Sequence, residues 1–155
     1  GSAWTETNNL NQARHALAAV GADSTAAIAF GGFEGPSDYT NDTGKTESWN
    51  GSSWTEVNDL NTSRGFLSGA GVSYTDSIAF TGRTDAPAYL SVTELWNGTS
   101  WTETTDPPAT KANMGGTGTA AAGLVSGGNR GLPAPVDTTE EWVAPTTNTV
   151  TFTAS

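Results

Sequence analysis

Three basic residues recur at matching positions along the chain, and so do three acidic residues. The basic series, spaced by 50 and 47 residues, is Arg14, Arg64 and Lys111. The acidic series, spaced by 47 and 46 residues, is Glu47, Glu94 and Glu140. Basic side chains that converge on one site bind a carboxylate, sulfate or phosphate through charge-assisted hydrogen bonds. Alternatively, each basic residue pairs with an acidic residue of a neighbouring strand and is structural. The equal recurrence of both charges favours this second interpretation.

Catalytic chemistry has little support in the residue types. His15 is the single histidine, and the chain contains no cysteine. A usual metal cluster needs more of these ligands, and a serine triad needs a histidine base that is oriented by an acid. We therefore predict no enzyme activity, no cofactor and no metal site. His15 is expected to lie beside Arg14 without a chemical role.

A second set of candidate contacts lies in the segments that follow the most apolar stretches, at 33–44, 83–90 and 129–137. These segments differ between repeats, and binding residues favour variable loops on a rigid scaffold. The candidate loop contacts are Tyr39, Tyr89, Arg83 and Arg130. Aromatic rings beside glycine-rich loops can stack on sugars, so a glycan is the ligand class to consider for these loops.

Composition and charge exclude several partners. The chain has 155 residues, enough for one domain, and a formal net charge of −10. Nucleic acids and anionic membranes bind clustered cations, so neither is an expected partner. No stretch approaches the roughly 18 apolar residues of a membrane span. We expect a soluble protein, and the residues leave its location open, virion and extracellular locations included.

Six tryptophans recur with a period of 46 to 50 residues. One series is Trp4, Trp54 and Trp101, and the other is Trp49, Trp96 and Trp142. An Asn-Gly pair lies between the two tryptophans at 49–54 and again at 96–101. Asn-Gly tolerates the positive φ angles of a tight hairpin turn, and Thr, Ser and Trp suit half-buried strands. Each copy therefore predicts strand, turn and strand, and the period matches the roughly 50 residues of a four-stranded propeller blade.

We predict four short strands in each period, named A to D in chain order, and no helix. Strand A, rich in small residues, is expected at 16–21, 66–71 and 115–119. Strand B, the most apolar, is expected at 26–30, 77–80 and 123–126. Strand C carries the motif Thr-Glu-x-Trp, and strand D holds the second tryptophan followed by Thr-Glu. Residues 148–154 alternate polar and apolar side chains and predict one more strand, whose placement stays open.

Strand B ends in glycine in every period and is followed by tryptophan at a similar spacing. The three apolar segments are Ile28-Ala-Phe-Gly-Gly32, Ile78-Ala-Phe-Thr-Gly82 and Leu124-Val-Ser-Gly-Gly128. This pattern resembles the kelch repeat family, and the Thr-Glu-x-Trp motif is also similar to repeats of some phage structural proteins. The resemblance implies an all-β, kelch-like β-propeller with three four-stranded blades per chain.

The predicted domain organisation follows from these repeats. The three repeats cover residues 3–143, at about 3–53, 54–100 and 101–143, and form half a propeller. A C-terminal tail at 144–155 follows, and residues 1–2 are expected to be a scar of tag cleavage. In a propeller the start of strand A lies at the mouth of the central channel, where arginines of the kelch family can line a ligand site. The resemblance therefore implies ligand contacts at the channel mouth by Arg14, His15, Arg64 and Lys111.

The two ends of the repeat array are complementary. The array opens with a strand D motif at Trp4, and the third repeat ends at Trp142 without a second tryptophan. Three blades fill roughly half a ring, whereas propellers close with about four to eight blades. We therefore expect a six-bladed homodimer, closed head to tail when Trp4 of each chain completes the third blade of the other.

The predicted function follows from this assembly. The first choice is a non-enzymatic, self-assembling propeller with a structural or binding role and with itself as partner. The alternative is a carbohydrate- or receptor-binding propeller of a phage or virion structural protein. Its site would lie on the face formed by the D–A junctions and the B–C loops, with a glycan or a small anion as the ligand to consider.

Overall fold

The computed structural model of the chain describes residues 3–36, 40–86, 88–131 and 135–145. The described residues form eleven β-strands and no helix, so the predicted all-β class is confirmed. Accordingly, none of the described segments is a helix long and apolar enough to cross a membrane. The strand predicted at 148–154 lies outside the described residues, as do residues 1–2.

Three antiparallel sheets follow one another along the chain. Sheet 1 contains β1 (Ala18–Asp23), β2 (Ala26–Phe30), β3 (Thr46–Trp49) and β4 (Trp54–Val57). Sheet 2 contains β5 (Ser68–Ser73), β6 (Asp76–Arg83), β7 (Tyr89–Trp96) and β8 (Trp101–Glu103). Sheet 3 contains β9 (Gly115–Gly118), β10 (Ala122–Ser126) and β11 (Thr139–Val143). The described part of sheet 3 contains three strands.

The apolar strand B lies inside each sheet, where both of its edges are paired. β2 occupies the predicted 26–30, and its neighbours are β1 and β3. Ile28 and Ile78, at equivalent places in β2 and β6, are fully buried. A strand that is paired on both edges and packed against neighbouring sheets on both faces has apolar side chains on both faces. This explains why strand B is the most apolar.

Strand A begins two residues later than predicted in sheets 1 and 2. Ala16 and Phe66 have φ angles of 53° and 51°, and the equivalent Asn113 has a φ angle of 59°. A left-handed residue cannot continue a strand, so β1 begins at Ala18 and β5 at Ser68. The prediction missed this turn because Ala and Phe give no sequence signal for a positive φ angle.

Sheet 2 extends further than predicted. β6 continues to Arg83 and β7 begins at Tyr89, whereas the sequence predicted a loop over 83–90. The register shifts between Phe80 and Gly82, and pairing then resumes up to the end of β6. A bulge of this kind bends a strand without ending its pairing. The apolar pattern stops at the bulge, so the sequence signal for a strand stops there as well.

Neighbouring sheets pack face to face around two apolar clusters. The first strands contact each other in chain order, β1 with β5 and β5 with β9. The cluster between sheets 1 and 2 consists of Ala18, Ile28, Phe30, Leu60, Leu67, Ala79, Trp96 and Trp101. The cluster between sheets 2 and 3 consists of Ala70, Ile78, Phe80, Met114, Ala120 and Val125. Because the apolar side chains meet between sheets, each sheet depends on its neighbour for a core.

Small residues let the sheets approach closely. A Cβ atom at Gly69 would lie 2.7 Å from Phe30 Cζ, and one at Gly123 would lie 2.8 Å from Phe80 Cζ. Carbon atoms in contact are about 3.5–4.0 Å apart, so neither glycine position has room for a side chain. The glycine content of these strands therefore has a packing cause.

The left-handed residues also link one sheet to the next. The Phe66 N–H donates to the Ala16 carbonyl at 2.8 Å, and the Asn113 N–H donates to the Phe66 carbonyl at 2.9 Å. Each of these three residues precedes the first strand of its sheet by two positions. A series of backbone hydrogen bonds therefore runs from sheet to sheet beside the contacting first strands.

Candidate functional site

The recurring basic and acidic residues form buried ion pairs. In the second repeat, Arg64 Nη1 donates to Glu94 Oε1 at 2.5 Å and to the Thr62 carbonyl at 2.8 Å, and Nε donates to the Thr81 carbonyl at 2.7 Å. Neither charged side chain is exposed to solvent. Burial lowers the pKa of the Arg64 guanidinium, and the hydrogen bond and charge of Glu94 oppose that shift. The pair ties the segment before strand A to strand C.

An asparagine completes the shell around the carboxylate. The backbone N–H and the Nδ2 of Asn61 both donate to Glu94 Oε2, at 2.7 and 2.8 Å. The same Nδ2 also donates to the Trp101 carbonyl of β8 at 3.0 Å. Both oxygens of the buried carboxylate therefore accept hydrogen bonds, which a buried charge requires. Sequence reasoning missed this residue, although an asparagine precedes the arginine by three positions in the first two repeats.

The first repeat has the same arrangement. Arg14 Nη1 donates to Glu47 Oε1, and the backbone N–H and Nδ2 of Asn11 donate to Glu47 Oε2 at 2.7 and 2.9 Å. Burial alone would raise the pKa of the Glu47 carboxyl. The hydrogen bonds from Arg14 and Asn11, together with the Arg14 charge, outweigh burial and hold that pKa below its ordinary value of 4.5.

The third repeat departs from this pattern. Lys111 Nζ donates to Glu140 Oε1 and to Thr138 Oγ1, each at 2.6 Å. Pro108 stands where the other repeats have asparagine, and proline has no N–H to donate. Glu140 Oε2 is buried and has no hydrogen-bond partner among the described residues. The third site is therefore less complete than the first two.

The three cations of the predicted channel-mouth site do not form an exposed cationic surface. The side chains of Arg14, Arg64 and Lys111 are all 0 % exposed and each is paired with a carboxylate, which favours the structural alternative. A dissolved anion would have to displace a buried carboxylate to reach them. His15 lies nearby, joined by a backbone bridge to Phe33, with the two ring centroids 5.8 Å apart.

Two of the predicted loop contacts, Arg83 and Tyr89, lie in segments that bridge to the segments of the buried cations, at Gly65 and at Lys111. The Arg83 guanidinium lies 5.6 Å from the centre of the Tyr89 ring, and Arg130 is exposed. Tyr39 lies outside the described residues. Backbone bridges join the D–A and B–C segments, as between Gly65 and Arg83, so these segments share one end of the sheets. Glycan binding by these loops stays a prediction.

Acidic side chains in the same loops interact through their charges. Burial and the nearby charge of Asp85 raise the pKa of the Asp42 carboxyl. Within the described ranges, no group of three or more His, Cys, Asp or Glu side chains is arranged to hold a metal ion. The pKa of Asp42 is thus raised chiefly by burial, and the like charge of Asp85 adds to that effect.

The tryptophans form a second recurring feature. The strand C indoles each donate Nε1–H to a carbonyl in the A–B turn of their own sheet, at 2.8, 2.8 and 3.0 Å; the tryptophans are Trp49, Trp96 and Trp142. In sheet 1 the strand D ring of Trp54 lies 5.3 Å from Trp49, and in sheet 2 the Trp101 ring lies 5.3 Å from Trp96. In sheet 3 no described residue takes this place beside Trp142, whose ring is part-exposed.

The N-terminal segment docks on sheet 1 as the segment after β4 docks on sheet 2. Asn8 Nδ2 donates to the Ser52 carbonyl at 2.6 Å, and the equivalent Asn58 Nδ2 donates to the Thr99 carbonyl at 2.8 Å. Asn11 donates to Glu47 as Asn61 donates to Glu94, so the asparagine contacts with the two ion pairs also correspond. Residues 8–14 therefore occupy the place on sheet 1 that residues 58–64 occupy on sheet 2. Ahead of them, Trp4 is fully exposed and belongs to none of the described strands.

Comparisons with known proteins identify no family. No protein-family model matches the chain, and no curated protein sequence matches it. The resemblance to kelch repeats therefore stays a prediction from the residues, and function is inferred from the geometry of the chain.

Removal of one partner of the Arg64–Glu94 pair should destabilise the protein strongly. Arg64→Met leaves a buried carboxylate without its cation, and we expect a loss of about 3–5 kcal/mol in the free energy of unfolding, measured by urea denaturation. Lys45→Met is the matched control, because Lys45 pairs with Glu34 at 3.1 Å in a part-exposed position. That control should lose at most about 1 kcal/mol. Equal losses for the two variants would contradict a structural role for the buried pair.

The Glu47 carboxylate should make stability depend on pH. Its pKa is lowered in the folded state, so its contribution is present above the ordinary value of 4.5 and is lost as the pH falls through the folded-state pKa. The unfolding free energy of Glu47→Gln should therefore lie about 3 kcal/mol below that of the unmodified protein at neutral pH. The difference should narrow in acid. Exposed Glu56 provides the control, and Glu56→Gln should change stability by less than about 0.5 kcal/mol. A Glu47→Gln difference that is constant down to acid pH would refute the assignment.

Proposed function

We propose that the chain is a non-enzymatic, self-assembling, kelch-like β-propeller module whose ring is completed by a second copy. The observation that supports this most is the docking of residues 8–14, in which Asn8, Asn11 and Arg14 repeat the contacts that Asn58, Asn61 and Arg64 make on sheet 2. Trp54–Val57, which directly precedes the second of these segments, forms the outer strand of sheet 1. By the same geometry, residues 4–6 are presented where the outer strand of a sheet preceding sheet 1 would lie.

The other end of the array offers the complementary edge. β11 pairs with β10 on one side, and none of the described residues pairs with its other side. An unpaired strand edge presents free N–H and C=O groups and favours the addition of another strand. Because the donor segment and the acceptor edge belong to the same chain, two copies can satisfy each other in both directions. A twofold dimer of this kind has six sheets, within the size range of propellers.

Exposed apolar side chains on sheet 3 support the same assembly. Ile28 and Ile78 point toward the next sheet in the series and are 0 % exposed, whereas the equivalent Leu124 is 40 % exposed. Sheet 1 of a second copy would cover Leu124 as sheets 2 and 3 cover the two isoleucines. Burial of such a side chain contributes about 1.5–3 kcal/mol.

The backbone series beside the first strands would also continue into the second copy. Asn113 stands last in that series, after Ala16 and Phe66. In the proposed ring, the Ala16 N–H of the second copy donates to the Asn113 carbonyl, so that the series closes on itself. The role of the module is then structural, because the recurring charges hold the ring together and the variable loops stand on one face of it.

The mass of the protein in solution tests this proposal. At micromolar concentration, the unmodified chain should sediment at twice the mass of one chain. Trp4→Ala removes the aromatic anchor of the exchanged strand, and we expect its dimer to be at least ~30-fold weaker, as for a large aromatic hot spot. Tyr74→Ala is the matched control, because Tyr74 is also exposed, at 44 %, and lies in the A–B turn of sheet 2. That variant should remain dimeric, and an unmodified chain that sediments as a monomer would rule the proposal out.

A further inference from the structure

A cavity opens between sheets 2 and 3 beside the free edge of β11. Its volume is about 310 Å³, at the small end of the range for ligand pockets. The walls include Phe80, Thr93, Pro108, Val125, Glu140 and Trp142. The rings of Phe80 and Trp142 on two sides, together with a few polar groups, suit the binding of one flat and largely apolar side chain or ligand.

The corresponding place between sheets 1 and 2 is filled by an indole. Trp101 of β8 is 5 % exposed and lies edge-on to Phe30, with the ring centres 4.9 Å apart. Its other neighbour is Trp96, at 5.3 Å. Its Nε1–H donates to Thr46 Oγ1 at 3.1 Å. One tryptophan of sheet 2 therefore packs on a phenylalanine of sheet 1 and is fixed by a threonine hydroxyl of sheet 1.

Strand register shows that the cavity has the same walls. Phe30 lies opposite Thr46 across β2 and β3, and Phe80 lies opposite Thr93 across β6 and β7. Trp142 stands in sheet 3 where Trp96 stands in sheet 2. The walls that surround Trp101 thus recur one sheet further on, without a described residue between them.

The hydroxyl of the cavity is left without a partner. Thr93 is 1 % exposed, and its Oγ1 is buried with no hydrogen-bond partner among the described residues. The equivalent Thr46 Oγ1 accepts the indole N–H of Trp101. A buried hydroxyl without a partner costs free energy, so Thr93 favours an occupant that donates one hydrogen bond at this point.

We propose that this cavity is an indole-binding site and that its occupant is Trp4 of a second copy, with Nε1–H donated to Thr93 Oγ1. This inference rests on the proposed self-assembly and adds the site that recognises the exchanged strand. The pairing of β7 with β8 sets the register: Trp4 lies opposite Trp142, and Thr5 lies opposite Glu141. The site distinguishes tryptophan from phenylalanine, because a phenyl ring fits between the walls but leaves the hydroxyl unpaired.

Peptide binding to the full chain tests the site. The acceptor is the Trp4→Ala protein, whose own N-terminal strand lacks the indole and competes weakly, and the probe is a fluorescent peptide with the sequence of residues 1–8. We expect saturable binding by anisotropy when the acceptor is titrated to about 1 mM. A peptide with phenylalanine in place of tryptophan should bind at least ~10-fold more weakly, because sites built to hydrogen-bond a polar group discriminate against analogues that lack it.

A second substitution in the acceptor assigns the hydrogen bond. Thr93→Val keeps the shape of the side chain and removes the hydroxyl, so binding of the tryptophan peptide should fall ~10-fold while binding of the phenylalanine peptide stays the same. Thr46→Val is the matched control, because its indole partner is Trp101 of the same chain. That control should leave peptide binding unchanged in both cases. Equal effects of Thr93→Val on the two peptides would overturn the proposed hydrogen bond.

The outcomes separate this site from the self-assembly on which it rests. Failure of the tryptophan peptide to bind overturns the site, whether the cavity is closed or is filled by residues 146–155 of its own chain. Binding of the peptide to a protein that is monomeric without substitutions supports the site and contradicts the self-assembly. A dimer that survives Trp4→Ala, combined with no peptide binding, supports self-assembly through another contact and overturns the site.

Discussion

The fold depends on one tryptophan that belongs to two sheets at once. Trp101 is held by the backbone of sheet 2, yet its ring packs on Phe30 and its N–H donates to Thr46, both in sheet 1. An indole buries roughly 150–250 Å², a large contribution in a chain whose first strands in each sheet, β1, β5 and β9, are mostly alanine and glycine. β8 therefore completes both sheet 2 and the interface between sheets 1 and 2. Among the described residues, no outer strand stands in the equivalent place beside β11 of sheet 3.

The buried charges support this arrangement by fixing the chain between sheets. The guanidinium of Arg64 donates to the Thr62 and Thr81 carbonyls as well as to Glu94. One side chain therefore joins the segment before strand A to two strands of sheet 2, β6 and β7. A lysine offers a single charged point in place of a fork. The third repeat has Lys111, and Pro108 stands in the place of Asn11 and Asn61, so its site lacks part of this network. This divergence occurs in the sheet whose last described strand, β11, is paired on one side only by described residues.

The sequence was sufficient for the local structure of the repeats. Regular tryptophans, Asn-Gly turns and glycine-ended apolar segments predicted the hairpins and the central strands, because each has a short-range cause. The pairing of basic with acidic residues was the favoured interpretation because both charges recur with the same period. The late start of β1 and β5 was missed, since Ala and Phe give no sequence signal for the positive φ angles of Ala16 and Phe66, whose backbone groups are hydrogen-bonded between sheets. Complete burial of the cations and the role of Asn61 also depend on tertiary packing that a pattern does not contain.

Cross-linking in register tests the central claim that the edge of β11 takes the N-terminal strand of another copy. The chain has no cysteine, so a protein with Thr5→Cys can be mixed with one that carries Glu141→Cys and oxidised mildly. Paired strands bring these Cα atoms within the roughly 4.4–6.8 Å that a disulfide spans, so we expect a linked dimer of the two chains. Thr139→Cys, two residues along the same strand, should link poorly. Equal yields at 139 and 141, or no linked species at all, would contradict the account.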